Sequence, residues 1–504
     1  MKKFPFPRIK RFQGRSFKLH PLAGMIVIAS ILLFFCSSLR HALFQSTAFE
    51  LGIYDQVVYL MSQGKPPISS FLNIHHMGNH AAWVMYFIAL FYRIYPSVHW
   101  LLFIQAISLA LGAWPTWGLA REAGLNRSLS LTMAVVYLLY PVVFNINLFD
   151  FHPEVMALPV FLGAILAAKL NKIFWFCLAI IWILGCKDAM SLTVAAMGIW
   201  LFFCEKKRLC GIIALFAGVG WFIIVVQGII PYFKAGLGPG GVGRYTYLGD
   251  SVVEIIVNLI LKPRLVLERV FSWKTLEYVT LFLSPVFWWL SPRQLTPFMS
   301  ALPALVKNIL SEIDAQRDLI HQYSIPILPF LIVAMISSLA HSENYLGKWV
   351  VNVWQTRKGI NLSCIQEKKI IRKLILIWSF ISFLCLAKFG YFWSIYLREI
   401  DTWTANRLAV NLIQNTQGSV LTTANLAPHL THRPVVEFTN VDAPPTDLTQ
   451  FDYVLLNVRH PGWKSNRQFA QSLVNQLENL PQFQLKLYQD EVYVFQKINK
   501  LHPE

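Results

Sequence analysis

Phe49-Glu50-Leu51-Gly52-Ile53-Tyr54-Asp55-Gln56 follows closely on a long, largely apolar run, Leu22 to Phe44. That run meets the roughly 17–25 residues a helix needs to cross a bilayer. The octet therefore stands where a spanning helix leaves the membrane. Its two carboxylates stay hydrated there while a lipid-linked substrate can still reach them, which makes Glu50 and Asp55 candidates for chemistry at the bilayer surface. Residues five apart on an ideal helix lie about 140° from each other. Glu50 and Asp55 thus share one site only if Gly52 interrupts the helix; otherwise they serve different partners.

The rest of the chain has the composition that such a segment implies. Of 504 residues, 55% are hydrophobic and only 14% charged, and further apolar runs of near-spanning length recur. The class is an α-helical polytopic membrane protein. The first twenty residues carry Lys2, Lys3, Arg8, Lys10, Arg11, Arg15 and Lys18 without an acid. The apolar run behind them lacks a small-x-small cleavage signature, so it reads as an uncleaved anchor whose basic end stays in the cytoplasm. The net charge of +18 sits largely in short loops between apolar runs. Topology and anionic lipid account for it there, and no nucleic-acid partner is expected. The cysteines show no metal-ligand spacing and read as small packing residues.

Basic clusters, taken as cytoplasmic markers, order the spans. After Leu22–Phe44 come Val98–Leu119, Leu129–Ile146, Val155–Ala168, Ile173–Gly185 and Ala189–Cys204, then Gly211–Phe233, Leu276–Leu290, Leu295–Leu310, Ile325–Ala340 and Leu374–Leu397. Ala81–Tyr95 is short and reads as a juxtamembrane or re-entrant helix. This makes about eleven spans. The cytoplasmic end covers 1–21, the membrane domain 22–397 with outer loops at about 45–97 and 234–275, and the basic loop Lys348–Lys373 is cytoplasmic. Lys187-Asp188 falls between two short spans and is expected to dip into the bundle, where it needs pairing or water.

From about Arg398 the pattern changes. Helical spacing over Ala405–Asn415 and Gln468–Leu480 alternates with strand-like runs at Ser419–Leu421, Val435–Phe438 and Tyr453–Leu456, and Gln484–Tyr488 pairs with Val492–Gln496 as a hairpin. Residues 398–504 are expected to form a small α/β extracytoplasmic domain capping the membrane site.

Asp150-Phe151-His152-Pro153-Glu154 carries alternating polar residues. Pro153 pushes His152 out of the helical region, and in an extended segment residues i, i+2 and i+4 face one way. Asp150, His152 and Glu154 are therefore expected to converge, as metal ligands or as sugar and general-base contacts, with helix capping as the alternative. His75, His76 and His80 lack zinc-motif spacing. His80 is kept as a candidate beside Asn79 and Gly78. Arg244, Arg317 and His321 are candidates for gripping an anionic headgroup, or for pairing with the outer acids.

These residues carry a resemblance. Phe49 to Gln56, Phe149 to Glu154, Gly243-Arg244-Tyr245-Thr246-Tyr247-Leu248-Gly249 and Gln316-Arg317 with His321-Gln322-Tyr323-Ser324 resemble the signatures of the bacterial predicted-membrane-protein family catalogued as domain of unknown function 2079. The layout is similar to that of type C glycosyltransferases: acidic motifs in the first outer loop and after the third span, juxtamembrane helices, and a carboxyl-terminal outer domain. The resemblance implies sugar transfer from a polyprenyl-phosphate donor at the outer face of the plasma membrane, with Asp55, ahead of Glu50, as general base and Asp150 in the catalytic set. His80, His152, Glu154, Lys187, Asp188, Arg244, Tyr245, Arg317, His321 and Tyr323 are the implied substrate contacts, and a divalent cation is the implied cofactor. The chain departs from the pattern at Glu50, where Asp is common, at Asn79, which replaces an acid, and at Ala189, which ends Lys187-Asp188-Ala189. The two later departures remove carboxylates a metal would use. A transporter or flippase of a lipid-linked or acidic solute, and a non-catalytic scaffold, are the alternative readings.

Overall fold

The computed structural model describes residues 21–238, 240–341 and 364–498, with 347, 349, 353 and 356 between them. The basic amino-terminal stretch 1–20 and most of the basic loop expected at 348–373 lie outside the described residues.

Among the described residues four helices are long and apolar enough to cross a membrane: Pro21–Ala42, His99–Glu122, Arg127–Leu148 and Arg208–Phe233. Their burial ranks them by position. Only 17% of the most apolar stretch of Pro21–Ala42 is buried, against 67% for Arg127–Leu148, so the first helix faces outward and the second sits inside the bundle. The exposed side of the first helix is Ile28, Ile31, Leu32 and Phe35, the surface a helix presents to lipid. Leu328–Ala340 is buried on nearly every face and forms the centre of the bundle. Met190–Phe203 and Arg208–Ile224 cross in near backbone contact. A Cβ on Gly218 would lie 2.6 Å from Ser191 O, and one on Gly198 2.4 Å from Leu215 N. Small residues at such a crossing let dispersion contacts replace the hydrophobic drive that lipid removes.

Two expected spans differ. Leu276–Leu290 is a helix only as Trp273–Leu283, followed by single turns at Phe287–Trp289 and Pro292–Gln294. Pro285, Pro292 and Pro297 each remove a donor and restrict the residue before them, so the helix cannot continue and restarts at Phe298–Leu310. The last span is Cys364–Leu386, broken before Phe389–Glu399. Asn145 fills the break: its Nδ2 donates to Leu386 O at 3.2 Å and its Oδ1 accepts from Lys388 N at 2.8 Å. Met85–Ile94 is a separate short helix.

A two-residue hairpin, β1 Ile68–Ser69 with β2 Ile74–His75, lies in the first connector. The carboxyl-terminal region holds five strands, β3 Val420–Thr422, β4 Val436–Phe438, β5 Tyr453–Asn457, β6 Phe483–Gln489 and β7 Val492–Lys497, in the order β4-β3-β5-β7-β6. β3 is parallel to β4 and β5, and β7 is antiparallel to β5 and β6. The two-residue turn between β6 and β7 puts Asp490 and Glu491 at φ 50° and 61°, the pairing a tight right-twisted hairpin requires. Helices Trp403–Ile413 and Arg467–Glu478 cover the sheet's two faces. Phe44 and Ala48, from the first connector, are buried in the same cluster as Ala405, Ala409, Val410 and Ile413. The carboxyl-terminal domain therefore completes part of its core with residues of the membrane domain.

Candidate functional site

The first helix leads into a π-helical turn, Ala48–Gly52, which runs on into the helix Ile53–Ser62. Gly52 keeps helical angles, φ −60° and ψ −44°, so nothing breaks the path between Glu50 and Asp55. The two acids consequently face different partners. Glu50 Oε2 lies 2.8 Å from His152 Nε2, and its side chain is 27% exposed. The contact is too bent for a hydrogen bond, leaving both ring nitrogens of His152 without one. Asp55 is 2% exposed. Its carboxylate accepts from Tyr92 Oη at 2.5 Å and from the Thr431 hydroxyl, and lies 3.2 Å from His432 Nε2. Asp55 stands apart from Glu50: its oxygens are taken by Tyr92 on Met85–Ile94 and by Thr431 and His432 of the carboxyl-terminal domain. Single π-turns recur at functional sites because they re-aim a side chain, and here the turn carries Glu50.

Asp150, His152 and Glu154 do not converge either. Asp150 sits at φ 69°, in the left-handed region, which breaks the alternation expected of an extended segment. Its carboxylate pairs with Arg40 and accepts from Thr47 N at 2.8 Å and Thr47 Oγ1 at 2.9 Å, tying the end of the first helix to the third-span connector. His152 is extended before Pro153 as expected, φ −139° and ψ 128°, and a 3-10 turn over Pro153–Met156 then swings Glu154 toward Lys187. All three are buried: His152 faces Glu50, Glu154 faces Lys187, and Asp150 holds the end of the first helix.

Lys187 and Asp188 are placed by backbone pairing. Val84 N donates to Gly185 O at 3.2 Å and Asp188 N to His80 O at 3.1 Å, so the segment 80–84 lies along 185–188. A Cβ on Gly185 would collide with Trp83 at 2.2 Å, which explains why glycine stands there. His80 Nδ1 is then 3.1 Å from Asp188 Oδ1, and Lys187 donates to Glu154 Oε1. Burial raises the Glu154 carboxyl, but the Lys187 ammonium and its hydrogen bond, together with His152 and His80, hold the group below its ordinary value. The second oxygen of Glu154 has no hydrogen-bond partner.

His80, Lys187 and Asp188 open onto a cavity of about 340 Å³. Its polar end has His80, Lys187, Asp188, Arg244, Tyr245, Lys307, Gln316 and Tyr323; its wall is Phe222, Val226, Ile255, Leu259 and Val306 with further apolar side chains. Arg244 Nη1 donates to Tyr323 Oη at 3.2 Å with its guanidinium 5.3 Å from the ring centroid, and Lys307 Nζ is 5.9 Å from the same ring. Tyr245 Oη donates to Lys307 O at 2.9 Å. Gln316 is 1% exposed and its Nε2 is without a partner. Three cations thus meet at one end of an apolar chamber.

Arg317 and His321 are not among the residues lining this chamber. Arg317 Nη2 pairs with Asp314 at 3.0 Å and His321 Nδ1 with Asp318 at 2.6 Å, each a carboxylate three residues back and neither an acid of the first or third connector. His321 meets edge-on, at 4.2 Å, the ring of Phe149, which stacks on His152, and lies 6.4 Å from the ring of the cavity residue Tyr323. Among the described residues no group of three or more His, Cys, Asp or Glu is placed to hold a metal ion. Lys307 escapes a reading by motifs. A lone lysine inside the apolar run Leu295–Leu310 was the available signal, since charge at that depth marks a site.

The Asp55 contact docks the carboxyl-terminal domain. His432 stacks on Tyr59 at 4.7 Å and 5°, and Gln56 Nε2 donates to Arg433 O at 3.3 Å and Pro434 O at 3.2 Å. Arg433 turns inward and donates to Leu430 O, Gly418 O and Ile413 O, which fixes the loop presenting His432. Burial raises the Asp55 carboxyl, but His432 and the hydrogen bonds from Thr431 and Tyr92 bring it below its ordinary value; burial lowers His432, and Asp55 brings it above its own. The Asp55 contribution is present above about pH 4 and fades as pH falls through the lowered value. That of His432 is complete below about pH 6.5 and is lost as pH rises through the raised value. The gap in Tm between wild type and His432→Ala is therefore expected to be widest at about pH 4–6.5 and to narrow toward pH 9. A gap independent of pH contradicts the ionic contact.

Helices around a central bundle, short helices beside it and a small carboxyl-terminal sheet domain define a membrane protein with the fold of the type C glycosyltransferases. Residues 40–494 match the family described as predicted membrane protein (DUF2079), and the chain belongs to that family. ArnT from Cupriavidus metallidurans bound to undecaprenyl phosphate aligns with a TM-score of 0.54 at 11% identity, over 97% of this chain and 100% of that one. The apo state of the same protein gives 0.54 at 9%, over 94% and 97%. The archaeal oligosaccharyltransferase AglB from Archaeoglobus fulgidus, in complex with an inhibitory peptide and a dolichol-phosphate, gives 0.41 at 11%, over 88% and 70%. At such identities the likeness is one of fold. No curated protein matches the chain.

Proposed function

We propose that this protein is an integral-membrane glycosyltransferase that moves a sugar from a polyprenyl-phosphate donor to an acceptor hydroxyl on the extracytoplasmic face of the plasma membrane. In this reading the amino terminus is cytoplasmic and the carboxyl-terminal domain extracytoplasmic. The observation that carries it is the joining, in one cavity, of an apolar wall with Lys187, Arg244 and Lys307. An amphiphile with a long hydrocarbon chain and an anionic head suits that combination, and fixed cations at the departing phosphate stabilise charge as it develops. Lys187 has three donors and spends one on Glu154, which leaves it able to meet phosphate as well.

Glu50 lies against His152 and is 27% exposed, whereas Glu154 is buried and Asp188, 21% exposed, is paired with His80. As general base, Glu50 takes the acceptor hydroxyl proton while the hydroxyl oxygen bonds to the anomeric carbon. The bond from that carbon to the phosphate oxygen breaks, and its electron pair leaves on the lipid phosphate. Glu50 replaces Asp55 in this role because Asp55 is enclosed and saturated with partners. Glu50 contacts His152, Glu154 pairs with Lys187, and His80 and Asp188, which line the cavity, orient the donor sugar.

Native mass spectrometry with undecaprenyl phosphate tests the donor site. Arg244→Ala and Lys307→Met are each expected to weaken binding about 10–100-fold, the worth of a charge-assisted hydrogen bond. Binding by both variants at wild-type strength overturns the assignment.

A further inference from the structure

We infer that Phe49, Phe438 and Trp463 form a plate on which a sugar ring of the acceptor stacks, so that the acceptor is a saccharide. This rests on the glycosyltransferase reading and names the substrate class for its second half. The three rings come from both domains. Phe49 precedes Glu50, Phe438 ends β4, and Trp463 lies in the loop after β5. Trp463 and Phe438 stack at 5.8 Å and 27°, and Phe49 meets them edge-on at 5.3 Å and 5.6 Å. Trp463 remains 49% exposed and Phe49 37%. A single exposed aromatic needs no explanation, but a contiguous group assembled across a domain interface beside a candidate base does.

The loop is built to hold Trp463 outward. Its neighbours Gly462 and Lys464 sit at φ 78° and 64°, the second a conformation non-glycine residues adopt sparingly, and Lys464 O accepts from Val441 N at 2.8 Å. Lys464 also pairs with Asp442 at 2.5 Å and places Nζ 5.7 Å from the indole. The plate is thus apolar in the middle with Glu50, Lys464 and Asp442 around it. A pyranose has this same division, with C–H groups on its face and hydroxyls on its rim, and aromatic faces bind such polarised hydrogens through their quadrupole. The apolar wall suited to a hydrocarbon chain is that of the donor cavity instead. Because Phe49 and Glu50 are adjacent, with Cα atoms about 3.8 Å apart, a ring on the plate lies beside the residue that carries the candidate base.

Saturation-transfer-difference NMR on the full chain in nanodiscs, with pentasaccharides of glucose, mannose, galactose and N-acetylglucosamine as probes, tests the inference. At least one probe should bind wild type and receive most saturation at its ring C–H protons. Trp463→Ala should weaken that binding about tenfold, and Trp463→Phe should retain most of it. Absence of binding by wild type to every probe, or undiminished binding by Trp463→Ala, overturns the plate. Undecaprenyl phosphate binding is read in the same samples and should be equal in all three proteins. Its absence from wild type would contradict the donor reading, independently of the saccharide result.

Discussion

Glu50→Gln is expected to lower sugar transfer by about 10²–10⁴-fold, the contribution of a positioned general base, while undecaprenyl phosphate binding and Tm stay at wild-type values. Gln keeps the length and the neighbours of Glu50 but cannot take a proton. Asp55→Asn should behave in the opposite manner. It removes the charge that His432 faces and weakens two hydrogen bonds at the domain contact, so Tm falls, and any loss of transfer follows from loosened docking. Initial-rate assays beside thermal melts separate the two. Full transfer by Glu50→Gln, or abolished transfer by Asp55→Asn at unchanged Tm, would return the base to Asp55.

The second large effect concerns the Lys187–Glu154 pair, whose side chains are 10% and 3% exposed. Lys187→Met leaves a buried carboxylate without its cation, and breaking such a pair from one side costs about 3–5 kcal/mol. The double variant Lys187→Met/Glu154→Gln removes both charges and should regain most of that stability, as replacement of an entire buried pair often does. Undecaprenyl phosphate binding should not return with it, because one of the three cations is still missing. Denaturation combined with binding in the four-member cycle reads both outcomes. A double variant as unstable as Lys187→Met would mean the pair's worth lies in packing. Recovery of lipid binding would remove Lys187 from the phosphate contacts.

Residue patterns reveal the fold far better than they reveal the site. Apolar length and basic loops identify a polytopic membrane protein because bilayer thickness imposes them. The carboxyl-terminal domain is equally legible: expected strands at Val435–Phe438 and Tyr453–Leu456 appear as Val436–Phe438 and Tyr453–Asn457. The site escapes where one dihedral changes the direction of a side chain. Alternation in Asp150-Phe151-His152-Pro153-Glu154 would gather three groups, but φ 69° at Asp150 and a 3-10 turn after His152 distribute them to Arg40, Glu50 and Lys187. Asp55 departs from its expected role for another reason. Its partners Thr431 and His432 are 376 and 377 residues away, and no local pattern announces them. Lys307 is legible in principle but is absorbed into an apolar run. Trp463 lies in a loop that only the fold brings beside Phe49.

The central claim is that the chamber between Lys187, Arg244 and Lys307 receives the phosphate of a polyprenyl donor. A cryo-EM map of the protein with undecaprenyl phosphate tests it most directly. The phosphate should lie within about 3 Å of donors on those three side chains, with the hydrocarbon chain running past Phe222, Ile255 and Val306. Phosphate density at Arg317, or a chain lying along the outer face of Pro21–Ala42 with the chamber empty, would contradict the account.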